Sequence, residues 1–329
     1  MSETEIAPPV AAPPPAVAEP PKTVRIRMTN LSRWYGQVIG LNDVTCEIGP
    51  GLTALLGMNG AGKSTLLRLV TGQLRPTTGS VEIYGMTPFA NPEVYRHLGY
   101  CPEIDDFYER YSGRGFVEYL ARLSGMTKSE ARDRTQHVLE FVGMADRADK
   151  KIAGYSKGMR QRIKLAQAMV HDPDIILLDE PLNGLDPVGR REFMGVLGSL
   201  GNSGKTILVS SHILFEVEQM TRSLLLLHRG RLLANGDLGV IRSLIDKHPH
   251  QVRIEVDDPR RAAELLVGLP NVESLRYDYG DRALKLEVRN PDSFYDALAE
   301  LIVEKKIKVN EFSSPDNNLE SVFRYLVES

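Results

Sequence analysis

The chain has 329 residues, 42% hydrophobic and 25% charged, which is long enough for two cored domains and unlike a fibre or a fully disordered chain. Its formal net charge of -3 supplies no global field for nucleic acid, so a polyanionic partner would need a local basic patch, and none dominates the sequence. Two cysteines, Cys46 and Cys101, stand far apart without metal-ligand spacing, which argues against a disulfide framework and for a reducing, cytoplasmic setting.

Residues 1–22 are rich in Pro, Ala and Glu and cannot bury enough apolar surface to offset ordering entropy, so they read as a disordered tail. The longest uncharged apolar candidate, 6–18, is broken by five prolines, and no bilayer crossing is expected. From Val24 the texture changes to short β-branched runs at Val24 to Met28, Val44 to Ile48, Leu52 to Leu56 and Val81 to Tyr84, which read as strands. Helical spacing follows at Phe116 to Leu123, Ala131 to Val142, Arg160 to Val170 and Arg190 to Leu197. Ile175 to Leu178 and Thr206 to Val209 are short buried strands between them, and the alternation predicts an α/β domain with a largely parallel sheet. Past Gly236 the pattern resets to β-α-β-β-α-β over Gln251 to Phe312, the order of a small ferredoxin-like module. A final amphipathic helix is expected over Leu319 to Leu326. The domain boundaries are therefore set at 1–22, 23–240 and 241–329, with a helical subdomain at about 103–172.

Gly57-Met58-Asn59-Gly60-Ala61-Gly62-Lys63-Ser64 fits the phosphate-loop pattern and lies between a strand and a helix. Its glycines let the backbone wrap a phosphate chain, Lys63 reaches the β- and γ-phosphates, and Ser64, with Thr65 beside it, sits where a hydroxyl ligates Mg²⁺. Asp179 and Glu180 end the apolar run 175–178, at the carboxyl edge of a buried strand. Asp179 suits the Mg²⁺ shell, and Glu180 suits general-base activation of the attacking water. His212 follows another strand and would emerge at the same edge, although a lone histidine is commonly a surface or core residue. Ser156 is a good N-cap, and the helix it opens directs its positive end and Lys157 at an anion; an ordinary capped basic helix would look the same locally.

In order and spacing, Gly57 to Thr65, Tyr155 to Gln161, Ile175 to Glu180, Leu182 to Asp186 and Ser210 to His212 resemble the nucleotide-binding cassette of ABC transporters, over roughly residues 24–235. The resemblance implies a P-loop cassette with a mixed sheet and a helical subdomain, ATP and Mg²⁺ as cofactors, and a head-to-tail homodimer in which Ser156 and Gly158 act in trans. It also implies Gly57, Asn59, Gly60, Ala61, Gly62, Lys63, Ser64 and Thr65 as the nucleotide cradle and His212 as the switch histidine. Tyr35 matches the family's adenine-stacking aromatic and is taken for that contact, with a turn aromatic covering the core reading nearly as well. Asp186 matches the end of the dimer-communication loop, yet Asp186-Pro187 is also an ordinary helix start.

The chain departs from the family pattern at Lys157, Met159 and Asn183, and at Glu103, which replaces a glutamine near the Mg²⁺ site. A carboxylate there adds negative charge beside a triphosphate while remaining able to ligate the metal. The resemblance further implies a separate transmembrane permease as partner and peripheral placement on the cytoplasmic membrane face. Tyr155 to Met159, Tyr100 to Glu103 and the extra C-terminal module ending Asn318 to Phe323 are similar to the drug- and polymer-exporter branch of the family. The competing reading is a soluble ABC-type ATPase acting on ribosomes or DNA, which the single cassette and the lack of a basic run disfavour.

Overall fold

The structure, a computed structural model, describes residues 24–243, 249–278, 282–304 and 306–314. The tail at 1–22 and the helix expected at 319–326 lie outside the described residues. Strands β1 (Ile26–Tyr35) and β2 (Val38–Ile48) form a hairpin turned at Gly36, which takes a left-handed φ of 61°. Strand β3 (Gly51–Leu56) runs into the phosphate loop and helix α1 (Lys63–Val70), followed by β4 (Thr78–Ile83), α2 (Pro92–Tyr95) and β5 (Leu98–Cys101). Helices α3 (Gly113–Leu123), α4 (Lys128–Phe141) and α5 (Lys157–Met169) come next, then β6 (Ile175–Leu178), α6 (Pro187–Asn202), β7 (Thr206–Ser211), α7 (Leu214–Met220), β8 (Ser223–His228), β9 (Arg231–Asp237) and α8 (Leu238–Ser243).

The four strands expected at 24–28, 44–48, 52–56 and 81–84 divide between two sheets. Strands β1, β2 and β4 form an antiparallel sheet in the order β2-β1-β4, because the β1–β2 hairpin pairs locally. Strand β3 instead joins a six-stranded sheet in the order β5-β6-β7-β3-β8-β9, parallel except where β9 returns beside β8. The central strands β6 and β7 are buried at every position, so their sequences are near-continuous apolar runs. Alternation still sorts their side chains: Ile175 and Leu177 enter the core shared with β1, β4 and α1, whereas Ile176 and Leu178 enter the core shared with α3, α4 and α5.

The helices have identifiable starts. A capping box joins Thr127 and Glu130 at α4, Ser112 caps α3, and Asp186 caps α6 with Pro187 at its first position. Helix α5 is buried along much of its length and starts at Ser156, whose hydroxyl accepts from the Met159 N–H at 3.3 Å.

Strands β10 (His250–Val256), β11 (Val272–Asp278), β12 (Ala283–Val288) and β13 (Val309–Ser313) form an antiparallel sheet with helices α9 (Pro259–Val267) and α10 (Pro291–Val303). Its order, β11-β12-β10-β13, is the ferredoxin-like topology, and its core of Val252, Ile254, Leu266, Leu284, Leu286 and Phe294 is separate from the two above. Among the described residues no helix is long and apolar enough to cross a membrane.

Both cysteines are buried thiols, and burial pushes each up to about 12. Neither is therefore expected to react with a thiol-alkylating reagent at neutral pH in the folded chain, and both should label once denaturant unfolds it. Mass spectrometry across a denaturant series checks this, and rapid labelling of the native chain would contradict it.

Candidate functional site

Four parallel strands in the order β5, β6, β7, β3 end at one edge of the central sheet. Their register sets Cys101 against Leu178, Leu178 against Val209, and Leu56 against Ser211. The residues that follow these ends are Pro102-Glu103, Asp179-Glu180, His212 and the phosphate loop, so the sheet alone gathers groups more than 150 positions apart in the chain. Of these, residues 58–65, Glu103 and Glu180 line a cavity of about 490 Å³ together with Tyr35, Val38, Ile39 and Gly40, whereas Asp179 and His212 stand behind it, outside its lining.

The loop's backbone depends on its glycines. Gly60 and Gly62 have φ of 81° and 107°, and a Cβ at Gly62 would fall 2.6 Å from the Gly40 carbonyl oxygen. A Cβ at Gly57 would fall 2.6 Å from the Leu227 oxygen. Gly62 has no side chain to cap α1, which leaves the helix's first N–H groups for an anion. The cradle thus has the shape and polarity of a phosphate site.

Lys63 is nearly buried, and its Nζ donates to the Gly57 carbonyl at 2.6 Å and the Met58 carbonyl at 3.4 Å. The same ammonium lies 3.0 Å from Glu180 Oε1, with both side chains only 7% exposed. The other Glu180 oxygen, Oε2, lies 2.8 Å from His212 Nδ1. Glu180 has a φ of 48°, an uncommon conformation for a side-chain-bearing residue, and its N–H donates to Ser210 Oγ at 2.8 Å. Ser210 Oγ in turn donates to Asp179 Oδ1 at 2.7 Å, so one hydroxyl orients both members of the acidic pair. Asp179, Ser64 and Glu103 offer only oxygen donors, the chemistry a hard Mg²⁺ ion takes when substrate phosphates complete its shell.

Not every expected residue lines this cavity. Ser156 and Gly158 lie at the start of α5, where a Cβ on Gly158 would touch Leu185 at 3.6 Å. The stem of Lys157 packs over Gly184, whose φ is 75°. Asp186 uses its side chain to accept from the Gly189 N–H at 2.7 Å, the helix-start role that the sequence left open. Tyr35 ends a strand instead of sitting in a turn; its ring lies against Gly40 and under the Arg33 guanidinium, 5.0 Å from the ring centroid.

Two supporting groups escaped the sequence reading. Arg190 Nη1 lies 3.0 Å from Glu216 Oε1, and its Nε donates to the Leu185 carbonyl at 3.1 Å. Ser211 Oγ donates to Glu216 Oε2 at 3.0 Å, so this pair bridges the 182–186 segment and the strand that delivers His212. Desolvation raises the Glu216 carboxyl above its ordinary range. The second group is Lys164, a buried cation on α5. A helical arginine or lysine ordinarily reads as solvated, and nothing in their spacing distinguishes these two.

The sequence profile of the ABC transporter family matches residues 41–183. The bacitracin transport ATP-binding protein BcrA of Bacillus licheniformis is 31% identical over 305 residues, covering 92% of this chain and 97% of that protein. The daunorubicin/doxorubicin resistance ATP-binding protein DrrA of Streptomyces peucetius is 29% identical over 303 residues, 92% of each. A solved ATP-binding subunit of an ABC transporter superposes with a TM-score of 0.61 at 31% identity, over 67% of this chain and 93% of that one.

The left-handed backbone and close approach at Gly62 predict that Gly62→Ala loses about 2–4 kcal/mol of stability. Denaturant unfolding of the two proteins measures it, and an unchanged midpoint would show that the loop tolerates a side chain there.

Proposed function

The chain belongs to the ABC transporter family as an ATP-binding subunit, and from that membership we propose that it works as one of two head-to-tail ATPase subunits driving a separate membrane permease, in the direction of export. The single observation that carries the reading is Glu180, whose two carboxylate oxygens are shared between Lys63 and His212 at 3.0 and 2.8 Å. A carboxylate so held is suited to accept a proton from an attacking water once Lys63 turns to a phosphate.

The steps assigned to the chain's own groups follow from that geometry. The N–H groups of the phosphate loop and of the start of α1 bind the phosphate chain, and Lys63 exchanges the Gly57 carbonyl and Glu180 for phosphate oxygens. Glu180 then retains His212 as its partner, which orients the carboxylate toward the water. Ser64, Asp179 and Glu103 are the residues proposed to hold Mg²⁺, which when bound neutralises charge on the phosphates. Tyr35, at the cavity wall, is proposed to stack on adenine.

Ser156 and Gly158 stand away from this cavity at the exposed start of α5, which supports their proposed action on a nucleotide held by a second copy of the chain. Asp186 is proposed for the same dimer seam, contributing through the loop it ends. The export direction rests on likeness to relatives named for bacitracin transport and daunorubicin/doxorubicin resistance. Peripheral placement at the membrane follows from the permease partnership. The boundary proposed near residue 240 makes the β10–β13 sheet an accessory module.

Glu180→Gln is expected to lower ATP turnover about 100-fold or more while binding ATP at least as tightly as the parent, because Lys63 loses a competing charge. Phosphate release and equilibrium binding measure the two effects, and undiminished turnover would remove Glu180 as the base. Purified under ATP from its own cells, the same variant should carry a polytopic membrane protein. Recovery of ribosomes instead would overturn the exporter reading.

A further inference from the structure

Lys164 sits in the middle of α5 with its side chain only 2% exposed. Its Nζ donates to the carbonyl oxygens of Pro102 at 2.9 Å and Glu103 at 3.1 Å, and lies 2.8 Å from Asp105 Oδ1. The two carbonyls accept hydrogen bonds from the ammonium, and the Asp105 carboxylate beside it pairs its charge. The Lys164 carbonyl also accepts from Cys101 Sγ at 3.2 Å, tying the end of β5 to the same helical turn. One turn earlier on α5, Arg160 grips Glu109 through two bonds of 2.7 and 2.9 Å and donates to the Ile152 carbonyl at 3.2 Å. The segment from Cys101 to Glu109 is therefore pinned to α5 at both ends.

We infer that Lys164 is a positioning residue for the metal-nucleotide site: by holding the backbone on either side of the Pro102–Glu103 bond, it fixes where the Glu103 carboxylate meets the phosphate-loop cavity. Glu103 lines that cavity, and its own carbonyl is one of the two oxygens that Lys164 holds. A carboxylate on an untethered segment would drift away from the negative charge of a triphosphate, whereas one clamped at its backbone stays within reach of a bound cation. The same clamp makes Glu103 travel with the helix that carries Ser156 and Gly158, so the acidic metal position and the start of α5 move as one piece. Asp105 compensates the buried ammonium, so Lys164 does not draw on the Glu103 carboxylate at the cavity wall.

This inference rests on the assignment of the cavity to Mg-ATP, and the test separates the two. The probe is a fluorescent N-methylanthraniloyl ATP, titrated into the full chain in EDTA and then across a Mg²⁺ series. Lys164→Met leaves the partly buried Asp105 without its cation, so Lys164→Met/Asp105→Asn is prepared beside it to remove both charges. Both variants are expected to bind the probe in EDTA within about twofold of the parent and to need about tenfold more Mg²⁺ for half-maximal tightening. In a Glu103→Ala background, Lys164→Met should add no further Mg²⁺ requirement, because both changes act through one side chain. A double variant that melts with the parent and keeps the parent's Mg²⁺ dependence overturns the role of Lys164. A parent chain that fails to bind the probe overturns the nucleotide assignment itself.

Discussion

The candidate site turns on one buried ammonium. Lys63 is held by the Gly57 and Met58 carbonyls and by Glu180, in surroundings where an unpaired charge would be costly. Because that positive charge is shared between the loop that would bind phosphate and the carboxylate that would activate water, the two functions are coupled before any motion of the chain. In the proposed function an incoming phosphate would compete with Glu180 for the same donor. Whatever wins Lys63 decides how Glu180 is partnered, and His212 is positioned to keep the carboxylate oriented in either case. The left-handed backbone of Glu180, supported by Ser210 through its N–H, is a local strain accepted to reach that position.

Such sharing requires groups far apart in the chain to arrive at one edge, and strand order supplies this. Setting β3 between β7 and β8, and β6 between β5 and β7, brings the segment after Cys101, the acidic pair and the histidine alongside the phosphate loop. The apolar alternation within β6 then locks the sheet between two cores, because a slip by one residue would send each set of side chains into the core packed around the other. Helix α5 is bound into the same frame by Arg160 and Lys164 rather than by apolar packing alone. Polar tethers of this kind have directional geometry, which suits a segment whose placement matters more than its burial.

How much could be read beforehand varied with the physical origin of each feature. The phosphate loop stood out because positive φ favours glycine at Gly60 and Gly62, with close neighbours as well at Gly62, and that demand is written as spacing. The strands 175–178 and 206–211 were recognisable from their apolar runs, and the β-α-β-β-α-β order beyond Gly236 already implied the topology that β11-β12-β10-β13 adopts. Strands β5, β8 and β9 were not identified, since short apolar runs carry no periodicity of their own. The role of Asp186 stayed double in the sequence because a helix start and a dimer-seam acid use the same residue; within the chain, the side chain is an N-cap.

The sequence by itself determined the chemistry on offer: a glycine cradle with its lysine, a terminal acidic pair, a histidine after a strand, and a capped basic helix. Those signals are local, since each needs only neighbouring residues to impose its backbone or its cap. The tertiary structure alone decided the partnerships: Lys63 with Glu180, Ser210 across both acids, Arg190 with Glu216, and Lys164 beneath Glu103. Lysine and arginine in a helix carry no mark of burial in their spacing, because their long stems reach either solvent or a carbonyl equally well. Only the packing of α5 against the end of β5 closes off the solvent and leaves the carbonyls as partners.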